Sequence, residues 1–108
     1  MTVFLVETYV VKPDKLSEFT AFYKKSETWM KKHPELFKEM KSHKLFSHMV
    51  GGKWGGFVEM LEAKSLAHIE KVLSGAIQDK EYKTEILPEF IALIVPGTHS
   101  IEIWDSVT

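Results

Sequence analysis

His43-Lys44-Leu45-Phe46-Ser47-His48-Met49-Val50, then Gly51-Gly52-Lys53-Trp54-Gly55-Gly56, then Phe57-Val58-Glu59-Met60-Leu61-Glu62, is the stretch that decides the fold. Two short runs rich in strand-favouring residues flank a cluster of glycines. Glycine reaches positive φ without steric cost, so a chain reversal belongs between the runs. The linker is longer than a tight two-residue turn. A loop with a bulge, carrying Trp54 at its tip, fits it. A helical pattern lies on each side of this hairpin and a strand at each end of the chain. The order is therefore strand, helix, two strands, helix, strand.

On the N-terminal side, Thr2 to Val11 is apolar on both faces except for Thr2, Glu7 and Thr8. Strands of this kind are usually covered on both sides, which predicts a central position in the sheet. Val3, Leu5, Glu7, Tyr9 and Val11 share one face; Phe4, Val6, Thr8 and Val10 share the other. Lys12-Pro13-Asp14 ends the strand and opens a helix, with proline tolerated in the first turn and Asp14 matching the helix dipole. Leu16, Phe19, Tyr23 and Met30 recur at helical spacing, widened by Phe22 and Trp29. Pro34 interrupts the pattern, and Glu35 to Lys41 reads as a further short turn. On the C-terminal side, Ser65 is placed to cap a helix carrying Leu66, Ile69, Val72, Leu73 and Ile77. Gly75 weakens this helix without ending it. Lys80 to Leu93 is ambiguous: Tyr82, Ile86, Phe90 and Leu93 fit a helical face, but Pro88 lies inside it. Pro96-Gly97 turns the chain into a last alternating strand, Ser100 to Trp104.

Residues 1–108 read as one domain with enough apolar content, 44%, to form a core. The net charge of −1 points to no acidic or basic partner. No apolar run approaches the ~20 residues that span a bilayer, and no signal-peptide pattern is visible. The absence of cysteine excludes disulfides, thiolate metal sites and cysteine nucleophiles, and fits the cytoplasm. Every basic side chain other than histidine is lysine. Without the arginine fork, polyanionic ligands and nucleic acid are disfavoured. Asparagine is also absent, and Gln78 is the sole glutamine. Scarce amides with abundant Lys and Glu match a thermophile bias; skewed genome composition would produce the same pattern.

A βαββαβ order predicts an antiparallel sheet with two helices on one face. The other face of a two-sided apolar strand then needs a cover. A second copy of the chain is the preferred one, giving a homodimer packed sheet on sheet; a C-terminal segment folded back is the alternative. Val10-Val11-Lys12-Pro13-Asp14-Lys15 with Glu18-Phe19, and Val58-Glu59-Met60-Leu61-Glu62 running into Ser65-Leu66-Ala67-His68, resemble the dimeric α+β barrel superfamily. The likeness is to its antibiotic-biosynthesis-monooxygenase-like and NIPSNAP-like members. It implies a ferredoxin-like α+β fold and a pocket between sheet and helices. Members of the superfamily include cofactor-independent oxygenases, haem-degrading enzymes, isomerases and proteins without known activity. Haem-degrading relatives carry an asparagine near the position of Glu7, a tryptophan, and a histidine on the second main helix. Here Glu7 replaces the asparagine, no tryptophan lies between Gly55 and His68, and only His68 matches.

Glu7 is the sharpest catalytic candidate. A carboxylate among Val3, Leu5, Tyr9 and Val11 is expected to be desolvated, with a raised pKa suited to general-base work; pairing with a lysine is the plain alternative. His43 or His48 would be the partner acid. An odd separation puts these two on opposite faces of a strand, so they cannot share a metal. Tyr9, Phe19, Phe22, Tyr23, Trp54, Glu59 and His68 are the ligand-binding candidates. For the aromatic residues core packing is the default, for Trp54 an anchor in a partner subunit, and for Glu59 a cross-strand pair. No ligand spacing points to a metal, and no cofactor is assigned. Phosphate loops, nucleophile elbows and dinucleotide fingerprints are missing. The sequence thus leaves two main functions open, with haem or metal binding through some of His43, His48, His68, His99, Glu7 and Glu59 as a third. One is a cofactor-independent oxygenase or isomerase acting on an apolar compound. The other is a non-catalytic homodimeric module that binds a ligand or protein.

Overall fold

A computed structural model describes residues 2–48, 52 and 54–107. Strand β1 is Val3–Val10, followed by a 3-10 turn at Pro13–Lys15 and helix α1, Leu16–Lys31. Short helix α2 is Pro34–Phe37; β2, Ser42–Ser47, and β3, Gly56–Ala63, form the hairpin. Helix α3 is Leu66–Gln78, a π-helical turn covers Tyr82–Ile86, α4 is Leu87–Leu93 and β4 is Ser100–Asp105. The predicted ends of the hairpin at Met49, Val50, Gly51 and Lys53 lie outside the described residues.

The sheet is antiparallel with strand order β2-β3-β1-β4. The doubly apolar β1 is central, as its pattern predicts. In the β1–β3 register Leu5 lies opposite Leu61, Glu7 opposite Glu59 and Tyr9 opposite Phe57. Alternation puts these residues, with His43 and Leu45 of β2, on the helix-covered face. Two buried clusters fill that side. One joins Tyr9 and Val11 to Phe19, Phe22, Trp29, Ile86 and Leu93; the other joins Val3, Leu5, Leu61 and Ala63 to Ile69 and Val72. The glycine-rich loop closes on the end of β1. Val11 N–H donates to the Gly55 carbonyl at 2.9 Å, and Gly55 has φ 78°. A Cβ there would meet the Val11 carbonyl oxygen at 2.8 Å, so the turn needs glycine.

Ser65 caps α3 by accepting the His68 N–H at 3.4 Å. Gly75 has a role beyond weak helix propensity: a Cβ would come within 2.5 Å of Leu36, so its absence lets α3 approach α2. The ambiguous segment from Lys80 to Leu93 is helical, and Pro88 explains its shape. Proline has no N–H and its ring crowds the carbonyl one turn earlier. The helix widens just before it, and Leu87 N–H reaches the Tyr82 carbonyl. The chain after β4 does not fold over the sheet, since Ser106 N–H pairs with the Thr2 carbonyl beside the strands. Among the described residues, no helix is long and apolar enough to cross a membrane.

Candidate functional site

A cavity of about 100 Å³ lies between sheet and helices. Leu5, Glu7, Tyr9, Glu59 and Leu61 form its sheet side. Phe22, Tyr23, Trp29 and Met30 of α1 face them, with Phe37, Val72, Tyr82, Ile86 and Phe90 closing the walls. The space suits a few waters or one small ring.

The acidic groups come in by strand register. Glu7 and Glu59 occupy opposed positions on adjacent strands, both on the helix side. Like charges so placed repel unless each finds a partner. Each finds a histidine. His43 Nε2 lies 2.6 Å from Glu59 Oε2, and His99 Nε2 lies 2.9 Å from Glu7 Oε1. An ionised carboxylate can only accept, so both imidazoles present N–H at Nε2. The Tyr9 hydroxyl donates to Glu59 Oε1 at 3.4 Å, and the Tyr23 hydroxyl oxygen lies 3.3 Å from the same His43 nitrogen. Both Glu59 oxygens are thus engaged. Glu7 has one engaged oxygen, and its Oε2 has no hydrogen bond among the described residues. The Tyr82 hydroxyl likewise has none.

All three tyrosines of the chain line this cavity. Burial, then the Glu7 and Glu59 charges, pushes the Tyr82 phenol up to about 12. Burial and then Glu59 push Tyr9 and Tyr23 upward as well. The three are therefore protonated donors at neutral pH. A phenol whose pKa rises on folding stabilises the fold below its unfolded value near 10; that contribution is lost as the pH climbs toward the folded value. Alkaline titration followed by tyrosinate absorbance and circular dichroism should show no ionisation step near pH 10 in the folded protein. Tyrosinate should appear at higher pH, together with loss of structure. A full step near pH 10 with the fold intact would place the phenols outside the cavity.

A second polar cluster fixes the wall. Asp79, just past α3, accepts the Trp29 indole N–H at 2.8 Å and the Tyr82 backbone N–H at 2.9 Å. The Tyr82 N–H, then the Trp29 N–H, hold its carboxyl below the usual carboxylate range. His33 Nε2 completes the group at 3.4 Å from Asp79 Oδ1.

Of the sequence candidates, Glu7, Tyr9, Phe22, Tyr23 and Glu59 line the cavity, and His43 touches Glu59 and Tyr23. Phe19 is buried behind the lining, its ring centroid 4.8 Å from that of Phe57. His48 follows β2, exposed and on the parity opposite to His43. His68 pairs with Glu39 at 2.6 Å, away from the cavity. Trp54 is 79% exposed and does not line the cavity. Tyr82 and Phe90 are not among the sequence candidates, and His99 enters there only as a metal-ligand candidate. Tyr82 and Phe90 were visible as a helical stripe, but only the π-helical turn shows that Tyr82 faces the carboxylates. Among the described residues, no three His, Asp or Glu side chains are grouped to hold a metal ion.

No family model and no curated protein matches the chain. Solved structures do. A NIPSNAP family protein from Agrobacterium tumefaciens superposes with TM-score 0.74 at 11% identity, over 99% of this chain and 94% of that one. An antibiotic biosynthesis monooxygenase gives 0.68 at 18% identity, covering 98% and 99% of the two chains. A mutant of SnoaB, a cofactor-independent oxygenase from Streptomyces nogalater, gives 0.70 at 13% identity, covering 99% and 94%. The chain shares the ferredoxin-like α+β fold of these structures. Helices packed on one face of the four-stranded sheet account for a cavity on that side. Identities this low make it a likeness of fold, and the chemistry has to come from the residues themselves.

Proposed function

We propose that the protein is a small-molecule enzyme of the cofactor-independent oxygenase or isomerase type, working by proton abstraction in the cavity. One observation carries this reading: Glu7 and Tyr82 line the same cavity, and Glu7 Oε2 and the Tyr82 hydroxyl have no hydrogen-bond partner among the described residues. Glu7 Oε2 takes the proton from a carbon next to a carbonyl, or from a phenol. Tyr82 donates a hydrogen bond to the oxygen on which charge develops. His99, 31% exposed, passes protons between Glu7 and solvent. Glu59 holds Tyr9 and His43 in place. The resulting enolate is reprotonated at another carbon in an isomerase. In an oxygenase it gives one electron to dioxygen, the radical and superoxide combine into a carbon-bound peroxide, and the peroxide takes up a proton and loses water to leave a new carbonyl. The cofactor-independent oxygenase among the structural neighbours favours the second branch. The lack of cysteine suits such an enzyme to the cytoplasm.

The test is deuterium wash-in to an enolisable monocyclic ketone such as cyclohexanone, followed by NMR. Exchange faster than in buffer supports the reading. Exchange at the buffer rate across a panel of such ketones and phenols would leave a non-catalytic binding module.

In this reading the working form is a homodimer packed sheet on sheet. Phe4, Val58, Met60, Phe46 and Trp104 share the face away from the helices around the buried Val6, and none of these five belongs to either core cluster. Phe46 and Trp104 are each 47% exposed. Apolar side chains gathered on one face mark an association surface. Met60, beside Lys44 and Val6, lies on the central strand β3. Sedimentation of the wild type should show a dimer, and Met60→Lys a folded monomer. A monomeric wild type would refute the assembly.

A further inference from the structure

A second concavity, of about 340 Å³, opens on the surface between α1 and α2. Met30, Pro34 and Phe37 form its apolar part, and the exposed Glu27, Lys31 and Lys38 its polar part. Met30 and Phe37 also line the inner cavity. His43 lines the groove too, while its imidazole touches Glu59 and Tyr23 inside. Groove and cavity are therefore separated by the side chains of Met30 and Phe37. Methionine is unbranched and adapts its shape readily, so this partition can part without moving the backbone.

We propose that groove and cavity are two halves of one ligand site, and that its ligand is an arylalkyl carboxylate whose ring carries a phenol hydroxyl, the group that Glu7 deprotonates. The ring enters past Met30 and Phe37 and lies against Tyr9, Phe22 and Glu7. The carboxylate stays in the groove with Lys31 and Lys38. This deepens the enzymatic reading by naming its substrate class, and rests on the same cavity.

Volume and charge support the division. The inner space of about 100 Å³ takes a single ring, and the larger groove takes a short chain and its head group. Neither Lys31 nor Lys38 forms an ion pair among the described residues. Glu27 stands one helical turn before Lys31 and offsets part of its charge. Lys38 leaves the groove positive overall. An anionic head group matches that balance; a cationic one would face both lysines.

The experiment compares hydrocinnamate with its neutral amide by calorimetric titration of the full chain. The two probes share ring and chain and differ in charge. The carboxylate should bind about fivefold more tightly, the size expected of exposed ion pairs. Lys31→Gln/Lys38→Gln changes only exposed side chains. It should remove that advantage and leave the affinity for the amide unchanged. In the wild type, the methyl resonance of Met30 should move with either probe. Equal affinities, an advantage that survives the double substitution, or an unmoved Met30 methyl would each overturn the proposal. Catalysis plays no part in these readouts. Hydrocinnamate binding as described without ketone exchange would refute the enzymatic reading and leave the bipartite site intact. Ketone exchange without a preference for the carboxylate would do the reverse.

Discussion

Trp29→Ala should lower the unfolding free energy by about 3–5 kcal/mol, among the largest stability losses open to this chain. Trp29 is 3% exposed and joins three separate elements. Its ring lies 5.1 Å from that of Tyr82, 5.6 Å from Phe37 and 4.9 Å from His33, centroid to centroid. The indole N–H reaches Asp79, which also takes the N–H of Tyr82. The side chain thereby pins α1 to α2 and to the π-helical turn. Alanine leaves a cavity that the surrounding rings refill only in part. Each kcal/mol moves the midpoint of a domain this size by about 4–8 °C. The thermal midpoint should therefore fall by roughly 12–40 °C. Trp29→Phe should fall between the two, because it keeps a ring in the wall and removes the donor to Asp79. An alanine variant within about 1 kcal/mol of wild type would show that the wall is held by something else.

How much of this was legible depends on the range of the interactions. The central position of β1 could be read because both of its faces are apolar within one short run. His43 and His48 separate by parity alone, and the structure keeps them apart. The caps and stops at Pro13, Pro34 and Ser65 are local chemistry and fall where the residues place them. Register is not local. The hairpin loop from Gly51 to Gly56 could close with or without a bulge, and one residue of slip would move Glu59 to the other face. The pairing of Glu7 with Glu59 was therefore hidden, although both residues were candidates. His99 as the partner of Glu7 depends on how β4 pairs with β1, and no turn joins those strands directly. The π-helical turn was hidden for another reason. Pro88 announces a disturbance but does not say whether the helix breaks, kinks or widens. Widening is what brings Tyr82 to the cavity. The expectation of an isolated, desolvated Glu7 gives way to a carboxylate 25% exposed and paired with an imidazole.

That pairing makes Glu7→Gln a sharp test of the chemistry. Glutamine keeps an oxygen that can accept the His99 N–H, so the hydrogen bond and the strand position survive. It loses the basic oxygen, and its amide cannot take a proton at neutral pH. Deuterium wash-in should fall by about 10²–10⁴-fold, the range that a placed general base contributes. The unfolding midpoint should scarcely move. Tyr82→Phe removes the hydroxyl but keeps the ring, and should cost about 10²–10³-fold if the phenol serves the developing oxyanion. Base and donor act in one transition state, so the double variant should be little worse than Glu7→Gln alone. Glu59→Gln provides the contrast. Its carboxylate is fully engaged by Tyr9 and His43, so its loss should change ligand affinity more than the rate of the bound ligand. Full exchange activity in Glu7→Gln would remove Glu7 as the base. A collapse confined to Glu59→Gln would transfer that role to the carboxylate on the neighbouring strand.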